Sequence, residues 1–86
     1  MNSVPMPTTK ELKEALLQVL RESPDGLSTA QIDMLVAKQL GLTQVQLQLK
    51  QSGNRSVISY RLAWERTNAK KLGLIELISK KTWKIR

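Results

Sequence analysis

Residues 55–86 read RSVISYRLAWERTNAKKLGLIELISKKTWKIR, a helical repeat that gives way to two short strand-like runs. Ile58, Leu62, Ala69 and Leu72 recur at helical spacing, so a helix is expected over about 55–72, with Gly73 as its left-handed terminator. Beyond it, Leu74 to Ile78 and Trp83 to Arg86 have strand composition and are joined by Ser79-Lys80-Lys81-Thr82, which predicts a hairpin. A long helix running straight into a terminal hairpin restricts what can precede it.

Working back toward the N-terminus, Thr43 and Gln46 have capping-box spacing, so residues 43–50 form a short helix or turn, although Val45, Leu47 and Leu49 alternate as a strand would. Gln51-Ser52-Gly53-Asn54 reads as a polar loop offering N-cap residues to the next helix. Ser28 with Gln31 opens a helix over about 29–40, with Ile32, Leu35, Val36 and Leu40 inward and Gly41 closing it. Thr8 with Glu11 opens another over about 9–22, with Leu12, Leu16, Val19 and Leu20 inward, stopped by Ser23-Pro24-Asp25-Gly26. Leu27 sits between as a one- or two-residue strand. Residues 1–7, with Pro5 and Pro7 and no periodicity, read as a flexible leader to one domain over 8–86. The expectation is a mainly α fold with a small β-hairpin: three main helices plus a C-terminal wing, the order of a winged helix-turn-helix.

Charge is distributed unevenly. Residues 44–86 hold ten Lys/Arg against Glu65 and Glu76, while residues 1–43 hold four against five acids, so the total of +7 sits almost wholly in the second half. A one-sided basic field suits a polyanion, because neutralising phosphates releases condensed counterions. The chain has no Cys and no His, which removes disulfides, thiolate metal sites and the commonest general base. Glu11-Leu12-Lys13 matches the E-x-K triplet of metal-dependent nucleases, but no upstream Asp completes a site, and G-x-x-x-x-G-K is missing. The chain itself is therefore expected to carry no catalytic site, metal or cofactor. No apolar run approaches the roughly 18 residues of a membrane span, so no membrane partner and a cytoplasmic setting are expected.

With Leu62 inward, about 100° per residue turns Ser56, Tyr60, Ala63, Thr67, Lys70 and Lys71 outward. Small polar side chains can approach base edges in the major groove, and lysines can hold phosphates. Arg55 and Ser59 at the start of this helix join the set. The hairpin adds Lys80 and Lys81 at its tip and Lys84 on the returning strand, with Lys84 and Arg86 opposite Trp83 and Ile85. A solvated helix face and edge-strand protection by lysines are the competing readings. Trp64, about 200° from Leu62, is expected to flank the hairpin or the first helix, and Trp83 to cover the long helix.

Several of these stretches together resemble the N-terminal domain of Mrr-like (type IV) restriction endonucleases. They are Gly41-Leu42, Ser52-Gly53, Arg61-Leu62-Ala63-Trp64 with Arg66, then Lys70-Lys71-Leu72-Gly73-Leu74-Ile75-Glu76 and Trp83, in matching order from about Ala15 to Ile85. The resemblance implies a winged helix that binds double-stranded DNA ahead of a separate C-terminal nuclease domain, so that the native full-length protein is an endonuclease in a restriction-modification setting. A chain that stops at Arg86, just after the second strand, fits such a module. Two positions depart from the family pattern, which has a small residue at Glu65 and Gly at Lys81. Glu65 then requires a partner, Arg61 or Arg66, or an exposed edge. The rival readings are a protein-interaction or dimerisation winged helix, with a homodimer as one form, and a stand-alone transcriptional regulator.

Overall fold

Three of the four helices begin with the same device, in which a hydroxyl and a side chain three residues on satisfy one another's backbone N–H groups. In the computed structural model, which describes residues 6–52 and 55–86, α1 spans Thr9–Arg21 behind Thr8 and Glu11. α2 spans Thr29–Leu40 behind Ser28 and Gln31, and α3 spans Gln44–Gln48 behind Thr43 and Gln46. Gly41 ends α2 at φ 64, the left-handed conformation its sequence position predicts. Residues 43–50 thus open as the short helix rather than as a strand, but none of α3's residues is fully buried.

Between α1 and α2 the chain turns through Gly26 into β1, Leu27–Ser28. Gly26 adopts φ 101, and a Cβ there would lie 3.0 Å from the Trp83 carbonyl oxygen, so this turn requires glycine. After α3 come β2, Lys50–Ser52, and β3, Arg55–Ser56, paired antiparallel with Lys50 opposite Ser56 and Ser52 opposite Arg55. The expected polar loop at 51–54 is therefore partly strand; Gly53 and Asn54 lie outside the described residues. The N-cap of the next helix is Ser56, whose hydroxyl accepts from the Ser59 N–H at 3.1 Å.

The long helix α4 spans Val57–Lys71, and the hairpin that follows is β4, Ile75–Ser79, and β5, Thr82–Ile85. β5 lies in the middle of a three-stranded antiparallel sheet ordered β1-β5-β4, with Leu27 and Leu77 both opposite Trp83. The hairpin turn is anchored to the start of α2, because the Thr29 N–H donates to the Lys81 carbonyl at 2.9 Å and Trp83 Nε1 donates to Thr29 Oγ1 at 3.2 Å. Leu12, Leu16 and Leu20 of α1, Ile32 and Val36 of α2, Leu62 of α4 and Ile75 of β4 are completely enclosed. Trp83 and Ile85 pack on this core from the sheet, as their strand face predicts. Four helices with a small three-stranded antiparallel sheet, β1-β5-β4, beside the β2-β3 pair, are compatible with a winged-helix-like fold.

Three expectations are corrected. Leu72 is 65% exposed, because α4 ends at Lys71 and Leu72 is its C-cap rather than part of the inward stripe. Met6 packs against the core and Pro7 is buried, so the leader expected over 1–7 does not reach those two residues; 1–5 lie outside the described ones. Glu65 is 8% exposed but pairs with neither Arg61 nor Arg66, both of which are engaged elsewhere.

Candidate nucleic-acid interface

α4 presents its outward face because its inward and flanking positions are held on both sides. Ile58, Leu62 and Ala69 are buried against the other helices. On one flank Arg66, 5% exposed, donates from Nη1 to Asp33 Oδ1 at 2.9 Å, while Ser59 Oγ donates to Asp33 Oδ2 at 3.3 Å. One carboxylate of α2 thereby grips two positions of α4 seven residues apart. On the other flank Arg61 Nη1 donates to the Pro7 carbonyl at 2.7 Å and Nη2 to Thr9 Oγ1 at 3.4 Å.

The outward positions then fall where helical geometry puts them. Tyr60, Ala63, Trp64 and Thr67 line one shallow depression on the surface of α4. Thr67 is exposed, its hydroxyl donating back to the Ala63 carbonyl at 3.0 Å, and Lys70 and Lys71 are exposed one turn further along. Trp64 is 53% exposed and is the largest apolar side chain on this face. Ser59 departs from expectation, since its hydroxyl turns to Asp33 instead of outward. Ser56 is half-buried and serves as the N-cap, and Arg55 sits in β3 opposite Ser52.

The hairpin places Lys80 and Lys81 at an exposed turn. Lys81 adopts φ 65, where glycine is at ease and a lysine is strained. Lys84 is half-buried and directly opposite Glu76 in the ladder, so part of its field is offset by a neighbouring carboxylate. The exposed cations at this end are thus Lys70 and Lys71 of α4, Lys80 and Lys81 at the hairpin turn, and Arg86 just after β5.

Leu77 and Ile78 of β4 are exposed beside these lysines, an apolar strip that the hairpin's alternation alone would not show. A bulge between Leu77 and Ser79 shifts the register there. Sequence reasoning missed the Asp33–Arg66 pair: an acid beside the inward stripe of one helix and a base beside that of another are its only trace. Among the described residues no cluster of three metal-ligating side chains occurs, and no helix is long and apolar enough to cross a membrane.

A family model described as the Mrr N-terminal domain matches residues 10–86. No curated protein and no solved structure gives a match.

Proposed function

Because the chain belongs to the Mrr N-terminal domain family, we propose that it is a double-stranded DNA-binding winged helix, the targeting module of an Mrr-like restriction endonuclease. The observation that carries this reading is an outward helix face followed by exposed cations. Tyr60, Ala63, Trp64 and Thr67 line the outward face of α4, Lys70 and Lys71 are exposed at its end, and Lys80 and Lys81 are exposed at the turn of the hairpin that follows. An α-helix fits the major groove, where side chains meet base edges, and lysines beside it meet the flanking phosphates. In this arrangement α4 reads and the C-terminal hairpin holds the backbone. Trp64 offers apolar area to a thymine methyl, and Thr67 a hydroxyl that can exchange its Ala63 partner for a base edge.

Titrating a labelled duplex across salt concentrations tests the reading. With about five phosphates neutralised, log K against log salt should fall with a slope near −4.5. An affinity that does not change between low and moderate salt would rule out a phosphate-based interface.

A second reading rests on Leu77 and Ile78, whose exposure suits docking of the hairpin onto another domain, such as the nuclease domain of a full-length enzyme. Under it, Leu77→Ser with Ile78→Ser would uncouple that domain while leaving duplex affinity intact.

A further inference from the structure

α4 fixes its rotation about its own axis with a narrower apolar stripe than α1 does. Its inward stripe offers only Ile58, Leu62 and Ala69, with Glu65 set among them, whereas Val57, Ala63 and Trp64 lie on the other side. α1 differs, with Leu12, Ala15, Leu16, Val19 and Leu20 buried together along one face. Hydrophobic burial is non-directional and scales with area, so the three residues of this stripe hold the rotation of α4 less sharply than the five of α1 hold theirs. Hydrogen bonds are directional, and an ionised partner shortens and strengthens them.

The polar contacts of α4 lie on opposite flanks. Taking Leu62 as zero, Arg66 projects at roughly +40° and Ser59 at roughly +60°, both toward Asp33 of α2, and Arg61 at roughly −100°, toward the Pro7 carbonyl and Thr9. We propose that these two sets of contacts act as opposed ties that set the rotational register of α4, making Asp33, Arg66 and Arg61 positioning residues for the outward face. Loss of either tie lets the other draw the helix round, so the two losses rotate it in opposite senses. The register change moves Tyr60, Trp64, Thr67 and Lys70 together relative to Lys80 and Lys81. That consequence for recognition rests on the DNA-binding reading; the ties themselves do not.

The test is backbone N–H residual dipolar coupling across residues 57–71, whose periodic variation reports the phase of a helix about its axis. Asp33→Leu with Arg66→Met removes one tie while keeping the site apolar and filled, the replacement a buried ion pair tolerates best. Arg61→Met removes the other at a half-exposed position, so a folded variant is available even if the double replacement does not fold. The expected result is a phase shift of α4 of one sign in the first variant and the opposite sign in the second, with α1 and α2 unchanged. Unchanged phase, or shifts of the same sign, would overturn the proposal, and with Arg61→Met alone an unmoved α4 does so.

A second readout uses a pool of duplexes with a randomised centre. The variants should keep the parent's salt slope, since no exposed lysine is lost, while preference between the best and the average duplex falls about fivefold or more. A parent that binds no duplex, in variants whose phases shift as expected, would refute the DNA-binding reading and leave the ties standing. Preference retained in a variant whose phase has shifted would overturn the link from register to recognition.

Discussion

At the residue scale, Lys81 shows how one backbone angle separates charge from strain. Its φ of 65 costs an L-residue about 1–2 kcal/mol, offset by the smaller entropy lost on folding than glycine would lose. Lys81→Gly should therefore raise stability by about 0.5–1 kcal/mol, a few degrees of Tm by thermal unfolding, while making the salt slope of duplex binding about 0.9 shallower. A lowered Tm would mean that the turn stores no strain. Leu62 has the opposite character, fully enclosed with no polar role, and Leu62→Ala should cost about 2–5 kcal/mol in denaturant unfolding. Trp64→Ala should cost far less, because about half of its surface already faces water, yet it should alter preference among duplexes.

At the element scale, legibility followed the source of each element's stability. α1 and α2 were readable because capping boxes and terminators are local chemistry, and their residues name themselves. α3 was readable by the same device but by little else. With no fully buried residue it depends on Thr43, so Thr43→Ala should remove about 1 kcal/mol and show as fast amide exchange over Gln44–Gln48 alone. The start of α4 is less legible, because Gln51-Ser52-Gly53-Asn54 reads as a loop offering caps, whereas pairing of β2 with β3, a tertiary choice, moves the boundary to Ser56. Leu72 was misread because an apolar residue at the right spacing carries no mark of the helix having ended. Asp33 and Arg66 were illegible as a pair because any of many cations could have met that carboxylate, and only the packing of α2 on α4 selects one.

At the scale of the whole molecule, the charge asymmetry visible in the composition becomes a surface once internal uses are subtracted. Arg61 and Arg66 belong to the interior arrangement, and Lys84 faces Glu76, which leaves Lys70, Lys71, Lys80, Lys81 and Arg86 as the exposed cations from α4 to the C-terminal strand. Lys80→Ala with Lys81→Ala should weaken binding to unrelated duplexes alike and make the salt slope shallower by about 1.8, with stability within about 0.5 kcal/mol. Unchanged affinity in that folded variant would shift support to the hairpin as a docking element. β5 has a further consequence as the central strand of the β1-β5-β4 sheet. Leu27 and Ile75 find their ladder partners only in Trp83 and Ile85, so a nascent chain cannot close its sheet until Thr82–Ile85 has left the ribosome. At about 5–20 residues per second, translation brings α1, α2 and α4 out seconds before the strand that seals them. A chain cut short before Thr82 would leave Leu27 and Ile75 without ladder partners, bare apolar edges that are a ready substrate for chaperones and proteases.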